Sequence, residues 1–205
     1  MNKINFDLNT NEWFQDFDIL IKSSQLIIPN YERIDNLSTT NYKANENEQT
    51  LIDIIKRNNI ILYHGCKTFD VQEYYQKGIQ IPTQDFYLKL FETYLNETKI
   101  NLSKKEKLKI EEIVKTKEPE KGLFGLLQPQ PFENQCSHYV LLGSERVTYY
   151  FLQLFGEYVY EKLIKIGKPT IFKIKVPIFS LTEYNIRVVC SEILKCYLDI
   201  KDGYE

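Results

Sequence analysis

The chain has 205 residues, 43% of them hydrophobic and 26% charged, with 15 Tyr, 12 Phe and a formal net charge of −2. That length suits one globular domain with room for an extension, and folding should bury roughly 70% of the unfolded surface, so no disulfide or metal staple is needed. The aromatic content excludes a disordered polymer, the shortness of the apolar runs excludes a membrane helix of ~18 residues, and the near-neutral charge excludes the global field of a general nucleic-acid binder.

The first residues, Met1 to Asp7, are polar and acidic where a secretory signal would be apolar. They point to a cytoplasmic protein with reduced thiols at Cys66, Cys136, Cys190 and Cys196, and an effector exported without a cleaved signal fits them equally. Residues 11–28 and 47–58 read as helices, the second carrying an apolar stripe of Leu51, Ile52, Ile54 and Ile55. Ile60 to His64 reads as a buried strand ending at Gly65, and residues 70–77 as a short helix closed by Gly78. The segment 86–118 is helical, with Ser103 to Glu106 as a capping box before Leu108, Ile110, Ile113 and Val114. Its lysines (Lys104, Lys105, Lys107, Lys109, Lys115, Lys117 and on to Lys121) interleave with Glu106, Glu111, Glu112 and Glu118, the pattern of a solvated face. Gly122 to Pro131 must be loop, and it leaves Leu123, Phe124 and Leu126 either as a sticky surface or folded back over something.

Tyr139 to Leu142 reads as a strand, and Ser144 as the cap of a helix with Glu145 in its first turn. An apolar face from Val147 to Ile166 follows, stopped by Gly167 and Pro169. Phe172 to Val176 alternates as a strand with one wet face, and Arg187 to Leu198 reads as one or two strands around Glu192. Helices first and strands last predict an α+β fold with a mainly antiparallel sheet. Residues 1–57 would be a helical extension packed on a core of 58–205, with 86–118 inserted and 122–135 as a loop, in one compact domain.

The two histidines each lie two residues from a cysteine, in His64-Gly65-Cys66 and Cys136-Ser137-His138. That arrangement invites a zinc reading, but it is not the two-to-four-residue knuckle of structural sites, and the cysteines read as small buried hydrophobes. Gly143-Ser144-Glu145-Arg146 lacks the second glycine of a nucleophile elbow, and neither a phosphate-binding loop nor a dinucleotide fingerprint occurs. What remains is a constellation in three segments: Leu62-Tyr63-His64-Gly65-Cys66, then His138-Tyr139 through Ser144 to Tyr150, then Val188 to Leu194 around Glu192.

In that order the segments resemble the ADP-ribosyltransferase superfamily, in its His-Tyr-Glu branch of diphtheria-type toxins and poly-ADP-ribose polymerases. The resemblance covers roughly residues 58–205 and implies a split, mainly antiparallel β-sheet core of ADP-ribosyltransferase type. It implies NAD as substrate, His64 orienting it beside Gly65, Tyr139 stacking on nicotinamide, Ser144 and Tyr150 nearby, and Glu192 as the catalytic glutamate; no metal is implied. The chain departs from the arginine-modifying branch, because Cys190 stands two residues before Glu192 and His64 replaces that branch's first-strand arginine. The implied activity is mono-ADP-ribosyl transfer to a macromolecular acceptor, nucleic acid or protein, by a toxin or anti-phage effector with an antitoxin or regulatory partner. A carboxylate suits the chemistry, because breaking the nicotinamide–ribose bond builds positive charge on the ribose. Two other readings fit the same residues: a non-catalytic interaction module using the Gly122–Pro131 loop, and an NAD glycohydrolase with water as acceptor.

Overall fold

The computed structural model describes residues 3–39, 41–116 and 122–204. In chain order its elements are β1 (Asn5–Phe6), α1 (Phe14–Ser23), α2 (Tyr31–Leu37), α3 (Glu46–Lys56), β2 (Asn59–Thr68), α4 (Val71–Lys77), α5 (Gln84–Thr98) and α6 (Lys104–Thr116). A 3-10 turn (Gln130–Glu133), α7 (Ser137–Leu141), α8 (Glu145–Phe155), α9 (Tyr158–Lys165), β3 (Lys168–Pro177), a second 3-10 turn (Ile178–Ser180) and α10 (Glu183–Asp202) complete it. The fold is α+β. Among the described residues, no helix is long and apolar enough to cross a membrane.

The sheet corrects the expectation of a mainly antiparallel one. It is small and mixed, with three strands in the order β1-β2-β3 and β1 parallel to β2, Asn5 opposite Asn59 and Phe6 opposite Ile60. Two of the expected strands are helices. In α10 the buried apolar positions are Ile186, Val189, Cys190, Ile193, Leu194 and Tyr197, a spacing of three and four that one helix face satisfies and a strand cannot. Thr182 caps its start by accepting from the Asn185 amide at 3.2 Å. Tyr139 to Leu142 closes as helix α7 and its cap, with the Leu142 amide donating to the His138 carbonyl at 2.9 Å. β2 runs past Gly65 to Thr68, and the helix expected through Ile166 breaks at Gly156 into α8 and α9. The Ser103 capping box forms as expected, its hydroxyl and Glu106 exchanging hydrogen bonds at the start of α6. Lys117, Glu118 and Lys121 of the charged face lie outside the described residues.

The chain divides into two compact units, Met1–Tyr63 with Lys173–Glu205, and His64–Phe172. In the first, α10 packs on α2 and α3. An aromatic cluster fills its core: the Phe6 ring meets Trp13 at 5.3 Å and Phe17 at 5.2 Å, and Phe17 meets Tyr197 at 5.4 Å, all edge-on. Glu48 is fully buried there, completing a capping box with Asn45 and accepting from Arg33 Nε at 2.5 Å. Burial pushes its carboxyl up, but the Arg33 and Asn45 donors prevail and hold it below the ordinary value. The second unit has its own core, in which α5 and α8 join through stacked Phe91 and Phe151 rings 4.7 Å apart, with Tyr94, Val159 and Leu163 around them.

Candidate functional site

A cavity of about 700 Å³ lies within the second unit, inside the range of ordinary small-molecule sites. β2 supplies one wall. Its pleat puts His64 and Cys66 on the same face, both half-buried and both lining the cavity. Burial pushes the Cys66 thiol up to about 11, against an opposing hydrogen bond with the Tyr74 hydroxyl, so this cysteine is not an activated nucleophile. Tyr74 sits on α4, where its ring stacks on Phe172 at 4.8 Å.

Of the residues singled out in the sequence, His64, Tyr139, Ser144 and Tyr150 all line this cavity. His64 Nδ1 lies 2.7 Å from the Phe124 carbonyl oxygen. A carbonyl only accepts, so Nδ1 carries a proton and Nε2 is the ring nitrogen left for a ligand. Tyr139 packs its ring on Phe124 at 5.8 Å with 27° between the planes, and its hydroxyl donates to Glu145 Oε2 at 3.3 Å. Ser144 caps α8 by accepting from the Val147 amide at 3.4 Å, and Tyr150 is buried against Phe91. The 122–135 loop thus folds back: Leu123 and Phe124 line the cavity while staying about half exposed.

Gly65 is not among the residues lining the cavity. A Cβ there would lie 2.4 Å from Phe132 Cε1. The glycine admits the buried Phe132 ring, and so anchors the far end of the loop on β2. Glu192 lies on α10 in the first unit, not on a strand, and is not among the residues lining the cavity. Its Oε1 accepts from Lys195 Nζ at 3.0 Å, and that ammonium also meets Asp35 at 2.7 Å.

Three further groups belong to this site. Glu145 and Glu73 are carboxylates that line the cavity, and Glu73 is paired with Lys77 at 2.6 Å. Arg146, also lining it, holds its guanidinium 4.5 Å from the Tyr87 ring centre. Lys67 is the third. It is only 4% exposed, and its Nζ donates to the carbonyls of Leu141 at 2.6 Å, Ile164 at 3.0 Å and Leu163. One buried cation therefore closes the C-terminal ends of α7 and α9, where the helix dipoles favour positive charge. Burial nonetheless lowers the ammonium to about 8. Gly143 completes this corner with φ +85°, and a Cβ there would lie 2.1 Å from the Tyr94 hydroxyl, which donates to the Leu142 carbonyl at 2.7 Å. A lysine in an otherwise buried strand was the signal in the sequence.

Among the described residues, no group of three His, Cys, Asp or Glu side chains is placed to hold a metal ion. No protein-family model matches the chain, and neither the curated proteins nor the solved structures contain a match.

Proposed function

We propose that the second unit binds NAD in this cavity, and that the chain transfers ADP-ribose from it to a macromolecular acceptor. One observation carries the reading. His64, Tyr139, Ser144 and Tyr150 come from three elements spread over 87 residues of chain, yet they line one cavity of about 700 Å³. A tyrosine face suits the flat cationic nicotinamide ring through stacking and cation–π attraction, worth about 0.5–2 kcal/mol. His64, with Nδ1 held by the Phe124 carbonyl, would meet a ribose hydroxyl at Nε2. The aromatic lining of Tyr74, Phe86 and Tyr149 gives the adenine a second surface of the right kind. A place in a toxin or anti-phage system, with an antitoxin or regulatory partner, follows from the family resemblance alone.

The test is incubation of the purified chain with NAD labelled in the adenylate, with and without cell lysate. Label retained on a macromolecule, and lost in H64A and Y139A, supports transfer; digestion with nuclease or protease then identifies the acceptor. Free ADP-ribose in place of bound label makes the chain a glycohydrolase. No NAD consumption by the unaltered chain overturns the enzyme reading and favours a module that uses the exposed Leu123 and Phe124 as its contact surface.

A further inference from the structure

Within the proposed reaction, on which this inference rests, we propose that Glu145 is the catalytic carboxylate. Cleaving the bond between nicotinamide and ribose needs negative charge beside the ribose carbon, inside the cavity that holds the ring. Of the two carboxylates that line the cavity, Glu73 is neutralised by Lys77 at 2.6 Å. Glu145 instead meets the Tyr139 hydroxyl at 3.3 Å. That hydrogen bond ties the carboxylate to the ring proposed to stack on nicotinamide. A base stacked on Tyr139 would therefore carry its glycosidic carbon past Glu145.

Position on the chain supports the same assignment. Glu145 is the first residue of α8, directly after the Ser144 cap. A rigid helix start holds the group more firmly than a loop would, and its exposed side chain needs no desolvation before a ligand arrives. Glu192, by contrast, is engaged with Lys195 on α10 and is not part of the cavity lining.

The step balances without any redox partner. The ribose C1′–nicotinamide N1 bond breaks heterolytically, its electron pair leaves on N1, and neutral nicotinamide departs. The ribosyl cation is held by the Glu145 carboxylate until an acceptor hydroxyl or amine attacks C1′. The proton displaced from the acceptor passes to Glu145 and from there to water.

E145Q is the decisive variant, because glutamine keeps an oxygen to accept from Tyr139 and removes only the charge. The expected result is a kcat lowered by about 100-fold or more, with the KM for NAD changed by less than about threefold. E145D should recover part of the rate. Circular dichroism and a thermal melt of each variant report folding separately from turnover. If E145Q turns over NAD as fast as the unaltered chain, or if E192Q loses turnover while E145Q keeps it, the assignment falls and the NAD reading survives. If the unaltered chain neither binds NAD by calorimetry nor consumes it, the reading beneath the assignment falls first, and the assignment with it.

Discussion

Replacing Lys67 with methionine removes one ammonium and strands three carbonyl groups. Methionine follows the course of the lysine stem, so packing changes little and the polar loss dominates. A buried acceptor left without its donor costs about 1–3 kcal/mol and a part-buried one less, so the buried Leu163 carbonyl and the part-buried Leu141 and Ile164 carbonyls lose about 4 kcal/mol in all. The variant recovers the cost of burying the charge. Lowering this ammonium from 10.5 to about 8 corresponds to about 3 kcal/mol. The net expectation is destabilisation by about 1 kcal/mol at pH 7. pH gives a second reading. The folded chain releases this proton near 8 and the unfolded chain holds it to 10.5, so the unfolded state binds more protons between those limits. The contribution of this group is constant below that window and rises with pH through it. Urea unfolding at pH 7 and pH 9.5 should therefore show the gap between the original chain and K67M widening by about 2 kcal/mol. A variant more stable than the original at pH 7, or a gap that does not widen, would refute the view of Lys67 as the pin of α7 and α9.

Two further outcomes follow from the same unit. G65A should destabilise the chain by about 1–3 kcal/mol through overpacking against Phe132, and F132A introduced with it should cost less than the two single changes added together, as read by thermal melts. F124A removes a ring that already lies on Tyr139 at 5.8 Å, a contact worth about 1 kcal/mol that a nicotinamide must displace. NAD affinity measured by calorimetry should tighten about fivefold, and weaker binding would instead make Phe124 part of the ligand's own sandwich.

Local signals predicted well wherever a side chain acts on its own backbone. The Ser103 and Ser144 caps, the α3 stripe and the alternation of β3 all follow from residues within one turn or one pleat of each other. Arg187 to Leu198 misled because Val188 and Val189 favour strands individually. The buried set from Ile186 to Tyr197 nevertheless repeats at three and four, and tertiary burial decided the outcome. At the site, the order His64, Tyr139, Ser144, Tyr150 was legible from the sequence, whereas Glu145 was hidden because a glutamate in a first helical turn already has a sufficient explanation in the dipole. Gly65 was ambiguous for a related reason: the aromatic ring that demands it comes from 67 residues further along the chain.

The unit that carries α10 is assembled from both ends of the chain, while the cavity unit is one uninterrupted stretch from His64 to Phe172. During synthesis, Tyr63 and Lys173 leave the ribosome 110 residues apart, a delay of about 5–20 s at ordinary elongation rates. Throughout that interval α2 and α3 lack the helix that covers them, and by its end every residue lining the cavity has been made. The order of birth thus sets the pocket ahead of its neighbour, and leaves the greasy faces of Ile34, Leu51 and Ile55 as the stretch most in need of a chaperone.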